Sequence, residues 1–285
     1  MRLYSFFVIF CAALSGCTLK EPPKYNPSEA DQAYYKIVNT EFGYKPVLKQ
    51  TGRTLWIYLP GTRQIFTIHA DQNSPEKKKK FSLEHLNTTF EDRIFTFEYE
   101  IVPVRKEFST SQGLANDYSK EFKEEYRNMF TAVARVYLNS ATPPLFIVLV
   151  FSDVKNGVEA INTLCFEDLK KYQSGYLPED EYALRILNES HGDPKIINDE
   201  MGQHLEYHDI TWPEFLGQQI IKRVNFKYTQ SDFEPGQNTD QEILKIIKET
   251  FKSYQFTDFA SIRLHDLGAD SIKEFSWLQL FQIVP

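Results

Sequence analysis

The sequence predicts an α+β fold in which helices pack on a mostly antiparallel sheet. Residues 93–104 alternate apolar and polar side chains with a period of two, which is typical of an antiparallel strand with one solvent-facing side. Residues 116–138 place apolar side chains three and four positions apart, which predicts an amphipathic helix. Residues 145–151 are seven apolar residues in a row, which indicates a central strand buried on both faces.

The first elements of the domain are shorter. A short helix is predicted over residues 33–38. Residues 54–58 and 64–69 are rich in apolar and β-branched side chains, which predicts two strands. The segment Leu59-Pro60-Gly61-Thr62 between them contains a Pro-Gly pair, so we expect a turn to join these two strands.

The region that follows the central strand begins with a returning strand. A turn over residues 153–157 is expected to lead back into a strand over residues 158–165. The next stretch is polar, with a short helix predicted over residues 179–188. Residues 203–210 alternate in polarity and are predicted to form a further strand.

Two helices with recognisable N-termini come next. Thr211-Trp212-Pro213-Glu214 and Thr239-Asp240-Gln241-Glu242 both match the capping box, in which the Thr and Glu side chains satisfy free backbone amides at the helix start. Short strands over residues 260–264 and 272–275 follow these helices. The C-terminal region is therefore predicted to pack helices against strands, like the region before it.

One pattern occurs twice along the chain. A helix that ends near Tyr137 leads to strand-forming residues and Asp153, and a helix that ends near Tyr254 leads to strand-forming residues and Asp266. This echo predicts two similar helix–strand–strand units. Chance similarity between two common arrangements is the alternative.

Length, charge and cysteine content narrow the protein class. We place a first α+β unit at residues 31–190 and a second at residues 195–285, and one continuous domain is the alternative. The formal net charge of −7 and the lack of a basic region exclude nucleic acid as a partner. Cys165 lies in an apolar run next to acidic residues, which indicates a buried, unreactive thiol.

The N-terminus has the features of a secretory signal. Arg2 precedes the mostly apolar residues 3–14, a run that is shorter than the approximately 20 residues needed to cross a bilayer. Leu14-Ser15-Gly16-Cys17 follows, with two small residues directly before a cysteine. This segment resembles the lipobox of bacterial lipoproteins. An ordinary signal peptide with a chance cysteine is the alternative.

The lipobox resemblance implies a modification and a location. Residues 1–16 would be a signal peptide cleaved between Gly16 and Cys17, and Cys17 would carry a diacylglycerol and a further acyl chain such as palmitate. Residues 17–30 contain three prolines and would form an extended tether. Thr18, in place of Asp, favours the outer over the inner membrane. The expected location is therefore the bacterial cell envelope, with the domain in the periplasm or at the cell surface.

Histidines cluster at one place. On a strand, His204, Glu206 and His208 would point to the same face, and two imidazoles with a carboxylate are suited to Zn²⁺. These three residues would then serve a metal-dependent hydrolase. The metalloprotease motif His-Glu-x-x-His is absent, because Glu206 does not directly follow His204. A solvent-facing strand edge without any cofactor is the alternative.

The remaining evidence concerns the type of activity. Serine nucleophile elbows and glycine-rich phosphate loops are missing from the sequence. The sequence therefore favours a non-catalytic role in binding or assembly, with an unidentified protein or envelope component as the partner in addition to the membrane. Aromatic residues make up 15% of the chain. Core packing explains their spacing, and a groove that captures a solute or glycan is the alternative.

Overall fold

The computed structural model describes residues 27–70, 81–103, 114–230 and 238–283. The helices are α1 (Pro27–Phe42), α2 (Lys120–Tyr137), α3 (Phe166–Gln173), α4 (Glu179–Arg185), α5 (Trp212–Thr229), α6 (Thr239–Ser253) and α7 (Trp277–Ile283). The strands are β1 (Val47–Thr51), β2 (Thr54–Gly61), β3 (Phe66–Ala70), β4 (Phe81–Glu91), β5 (Ile94–Pro103), β6 (Leu114–Tyr118), β7 (Phe146–Asp153), β8 (Val158–Cys165), β9 (Leu187–Gly192), β10 (Ser261–Asp266) and β11 (Ser271–Ser276). The fold is α+β, as predicted.

The larger sheet has five strands in the order β1-β2-β7-β8-β9. Strands β2 and β7 are parallel, and the other neighbours are antiparallel. All eight residues of β7 are buried, which confirms the central strand predicted from the unbroken apolar run. A strand buried on both faces requires cover on both sides of the sheet.

The smaller sheet repeats the pairing pattern of the larger one. Its strand order is β4-β5-β10-β11, with β5 and β10 parallel and the flanking pairs antiparallel. In each sheet, two hairpins therefore meet through one parallel pair of central strands. Strands β3 and β6 form a separate antiparallel pair. Of the eight pairings within the described ranges, six are antiparallel, which confirms a mostly antiparallel arrangement.

Both predicted helix–strand–strand units are present. Helix α2 leads into the β7–β8 hairpin, and α6 leads into the β10–β11 hairpin. The two sheets interleave along the chain, because β4 and β5 precede β7 in sequence but pair with β10 in the other sheet. The sheets therefore do not follow the boundary that the sequence suggested between residues 190 and 195.

Helices cover the sheets in layers. Helices α1 and α2 bury one face of the larger sheet. Helix α5 lies between the sheets, with Phe215 packed on the larger one and Leu216 and Ile220 packed on the smaller one. At Gly217 an added Cβ would lie 2.3 Å from the hydroxyl of Thr88, so glycine permits the close approach of α5 to β4.

The predicted turn at Leu59-Pro60-Gly61-Thr62 is wrong. Strand β2 continues to Gly61 and pairs with β1 and β7, while β3 pairs with β6. On the β1 side, the pairing of β2 ends at Tyr58. Pro60 lies beyond this point, so its lack of an N–H costs no hydrogen bond to β1. The hairpin forms instead between β1 and β2, through Gly52 at φ +56°.

Other element boundaries also differ from the predictions. Residues 203–210 are irregular instead of forming a strand, because their backbone does not join a sheet ladder. Helix α1 starts at Pro27, inside the predicted tether of residues 17–30. The capping box at Thr211 is confirmed, but Thr239 is the first helical residue of α6 and does not act as its cap.

The predicted signal peptide and lipidation site lie in the N-terminal part of the chain. Residues 1–16 and Cys17 lie outside the described residues, as does most of the predicted tether. Among the helices that the structure describes, none has both the length and the apolar composition needed to cross a bilayer.

Candidate functional site

A long irregular segment, residues 193–211, connects β9 to α5 and covers one face of the larger sheet. We call it the strap. The Trp56 indole N–H donates to the His208 backbone carbonyl at 3.0 Å. The Arg53 backbone N–H donates to the Asp209 carboxylate at 2.9 Å. These bonds hold the C-terminal half of the strap against β2.

A buried carboxylate–histidine network holds the rest of the strap. His204 Nδ1 lies 2.6 Å from the Asp199 carboxylate, and His204 Nε2 lies 2.9 Å from the Glu159 carboxylate. Glu159 belongs to β8, whereas the other two residues belong to the strap. The side chains of Glu159, His204 and Asp199 are only 1%, 7% and 9% exposed. The imidazole is therefore held between two acids with little access to water.

The register of the sheet fixes the surroundings of Glu159. Ser152 on β7 and His191 on β9 are its direct cross-strand partners. The Ser152 hydroxyl donates to Glu159 at 3.0 Å, and His191 Nε2 lies 3.0 Å from the other carboxylate oxygen. The Tyr58 hydroxyl on β2 donates to the backbone carbonyl of Asp199. The sheet thus presents a row of polar side chains where the strap crosses it.

The electrostatics of the network favour a charged imidazole. Burial disfavours the imidazolium, but the hydrogen bonds to Asp199 and Glu159 outweigh this effect and raise the pKa of His204. Burial also acts to raise the pKa of Asp199, but hydrogen bonds from the His204 ring and from backbone amides outweigh it and lower that pKa. Burial raises the pKa of Tyr58 to about 12, so this phenol stays neutral at physiological pH.

The contacts of the imidazole limit what the network can do chemically. Each ring nitrogen of His204 lies within hydrogen-bond distance of a carboxylate, at 2.6 Å from Asp199 and 2.9 Å from Glu159. Neither nitrogen is therefore free to take a further partner while these contacts are intact. The network links the strap to the sheet through hydrogen-bonded ion pairs.

The structure does not bring His204, Glu206 and His208 together. His208 Nε2 lies 2.7 Å from the Glu214 carboxylate, whereas the His204 ring contacts Glu159 and Asp199. The Glu206 side chain is exposed. The shared face was expected for a strand, and this segment is not a strand. Within the described ranges, no group of three or more His, Cys, Asp or Glu side chains is arranged to hold a metal.

The structure confirms the prediction for Cys165. This residue is 2% exposed at the end of β8. Burial raises the pKa of its thiol to about 12, so the thiol stays protonated and unreactive. The other predicted modification site, at Gly16 and Cys17, lies outside the described residues.

A second region, which we call the aromatic groove, lies where the strap leads into α5. Its volume is about 460 Å³. It is lined by Phe90, Trp212, Pro213, Tyr254, Gln255, Phe256, Thr257 and Asp258. The Trp212 ring packs against Phe146 with ring centres 5.3 Å apart. The Tyr254 hydroxyl donates to the buried Asp168 carboxylate at 2.7 Å. Two of the rings are therefore fixed from behind by the core.

One rim of the groove contains an unusual backbone conformation. Gln255 follows α6 with φ +53°. Its N–H donates to the Lys252 carbonyl at 3.1 Å, and the Phe256 N–H donates to the Phe251 carbonyl at 2.9 Å. These bonds form a Schellman motif, in which the left-handed position is usually occupied by glycine. A glutamine at this position strains the backbone and places a polar side chain at the groove.

Two further residues in left-handed conformations lie beside the groove, in the two-residue turn between β4 and β5. Asp92 has φ +50° and Arg93 has φ +64°, the pattern of a type I′ turn, in which glycine is favoured. Arg93 Nε lies 3.1 Å from Asp258 Oδ1 at the groove rim, and both side chains are largely exposed. Three non-glycine residues in left-handed conformations, Gln255, Asp92 and Arg93, therefore lie in the groove lining or in the turn beside it.

Comparison with known proteins does not add to this description. No family model matches the chain, and neither the comparison with curated proteins nor that with solved structures gives a match. The site must therefore be interpreted from its own geometry.

Sequence reasoning identified His204 but assigned it the wrong partners. Glu159 was missed, although a single acid inside a predicted buried strand signals that a partner is needed. For the aromatic residues, core packing was the prediction, and a ligand-binding groove was only the alternative. Trp212 and Phe90 are far apart in sequence, and no local pattern indicates that they meet.

Proposed function

We propose that this chain is a lipid-anchored lipoprotein of the bacterial cell envelope, with a non-catalytic role in binding. The observation that carries this proposal is the segment Leu14-Ser15-Gly16-Cys17 directly after a short apolar run. Two or more acyl chains at Cys17 give stable anchoring, whereas one chain gives only reversible binding. The membrane is thus the first partner of the protein, and the outer membrane is the favoured location.

The spacing between the anchor and the domain supports this proposal. Helix α1 begins at Pro27, ten residues after Cys17. An extended segment of this length reaches about 30 Å at ~3 Å per residue. The domain would then stand off the headgroups and could meet a ligand or partner on several sides.

The interior of the domain is consistent with binding. The buried histidine is occupied by two carboxylates and the single described thiol is inert, so neither is available as a nucleophile or base. The aromatic groove is the observation that favours capture of a solute or glycan over assembly alone. Pockets that bind small ligands span about 300–1,000 Å³, and the groove falls within that range.

Two matched cysteine variants test the anchor. The full chain, Cys17→Ser and Cys11→Ser would each be expressed in a bacterium supplied with radiolabelled palmitate. Both cysteines lie in the first 17 residues, but only Cys17 occupies the lipobox position. We expect the label in the unmodified chain and in Cys11→Ser, and its loss in Cys17→Ser. Equal labelling of all three chains, or of none, would contradict the proposal.

A further inference from the structure

The aromatic groove points to a particular class of ligand. We propose that it binds a neutral sugar ring of a glycan, with the ring face on the aromatic side chains and its hydroxyls on the polar rim. This inference rests on the proposed binding function and specifies its ligand. It does not require the lipid anchor.

Two aromatic rings form the floor of the groove. Trp212 and Tyr254 have ring centres 5.8 Å apart, and both rings are half-buried, so part of each remains open to a ligand. Aromatic faces are electron-rich, and the axial C–H groups of a sugar ring carry partial positive charge, so the two surfaces attract each other. Because the core holds these rings from behind, binding requires little ordering of side chains.

The rim of the groove is polar. Gln255, Thr257 and Asp258 are exposed at the groove and offer amide, hydroxyl and carboxylate groups for ligand hydroxyls. The Asp258 charge is balanced by Arg93 at 3.1 Å. The whole chain carries a net charge of −7, which disfavours an anionic ligand. A neutral polyhydroxylated ligand therefore fits this rim better than a charged one.

The backbone at Gln255 is strained. Glycine would occupy the left-handed position of Gln255 without strain, so the glutamine side chain at this position lowers local stability. Residues in sparsely populated backbone regions cluster at ligand-binding sites, where the strain is compensated by function. Contact between the Gln255 side chain and the ligand would compensate for this strain.

The test uses one variant that is expected to fold well. The full chain would be purified in a detergent without a sugar head group, and titrated with cellotriose, maltotriose and tri-N-acetylchitotriose by calorimetry. We expect saturable binding of at least one trisaccharide. Gln255→Gly is expected to weaken that binding at least tenfold while raising the melting temperature by about 2–4 °C.

Asn198→Gly is the matched control, because Asn198 has φ +63° but lies in the strap, outside the groove lining. It should raise the melting temperature without weakening binding. The proposal is overturned if none of the three sugars binds, if trigalacturonic acid binds more tightly than all of them, or if Gln255→Gly binds as well as the unmodified chain. None of these results bears on whether Cys17 is acylated. Failure of the sugar-binding proposal can therefore be distinguished from failure of the lipid-anchor proposal.

Discussion

The strap begins in a closed polar network and ends at an open groove, and the two regions use polar side chains in opposite ways. Around His204, the carboxylates of Glu159 and Asp199 are buried, and each contacts the imidazole. Around Gln255, polar groups lie exposed on a strained backbone beside aromatic rings. Buried charges need partners inside the protein because desolvation is costly. We therefore interpret the network as a source of stability and the groove as a site for a ligand.

The largest effect that distinguishes the two regions is expected from His204→Leu. Removing the imidazole leaves Glu159 and Asp199 buried without their shared partner, which should reduce the free energy of unfolding by about 3–5 kcal/mol. His208→Leu is the control, since its pair with Glu214 is exposed and contributes about 0–1 kcal/mol. Urea unfolding measures both variants. Similar losses in the two variants would mean that burial does not determine how much the network contributes to the free energy of unfolding.

A smaller effect should follow from pH, because deprotonation removes the charge of His204 but leaves the ring in place. The pKa of His204 is raised on folding, so its contribution is complete below about pH 6.5 and is lost as pH rises through the folded-state pKa. The pKa of Asp199 is lowered, so its contribution is present above about pH 3.8 and is lost as pH falls through the lowered value.

Stability should therefore be greatest in the mildly acidic range and decline towards alkaline pH. Urea unfolding measured from pH 4 to pH 9 checks this dependence. Hydrogen bonds to the Glu206 carbonyl and the Glu214 carboxylate also raise the pKa of His208, but this residue is exposed. The alkaline decline should therefore be reduced more in His204→Leu than in His208→Leu. A decline that is unchanged in His204→Leu would place its origin in another group.

The junction between the two regions allows a third test. Thr211 caps α5 directly before Trp212, and its hydroxyl accepts from the Glu214 backbone N–H. Thr211→Ala should reduce the free energy of unfolding by about 1 kcal/mol. Thr229→Ala, at the other end of α5, should change it little, because alanine is a better helix former. Thermal unfolding followed by circular dichroism compares the two variants, and equal losses would argue against the capping role.

The smallest effect has the opposite sign and concerns the groove. Arg93→Gly relieves a left-handed conformation in the β4–β5 turn and should stabilise the fold by up to about 1 kcal/mol, despite loss of the exposed pair with Asp258. Arg93→Ala keeps the strain and loses the pair, so it should not stabilise the protein. Chemical denaturation measures both variants. A gain in Arg93→Ala equal to that in Arg93→Gly would exclude backbone strain as the cause.

The accuracy of the sequence predictions depends on how local the relevant information is. The strand at Ile94–Pro103, the buried strand at Phe146–Asp153 and helix α2 all follow from short-range periodicity in apolar residues. Residues 203–210 misled the same reasoning, because their alternating polarity reflects contacts with the sheet below and not membership of a sheet.

The elements that depend on distant partners could not be predicted in this way. The parallel pairing of β2 with β7 joins residues about 90 positions apart, and that of β5 with β10 joins residues more than 160 positions apart. The pattern of apolar residues shows which face of a strand is buried but does not identify the neighbouring strand. The prediction of two units along the chain therefore missed the interleaving of the two sheets.

Local chemistry in the chain accounts for the lipobox prediction, the α+β class and the individual strands and helices, because each depends on residues within one segment. The partners of His204 and the lining of the aromatic groove depend on how separate segments pack. Glu159 and His204 are 45 residues apart, and they meet because the sheet register presents Glu159 beneath the strap. Burial of apolar surface drives that packing without encoding which polar groups will meet, so the contacts become visible only in the folded chain.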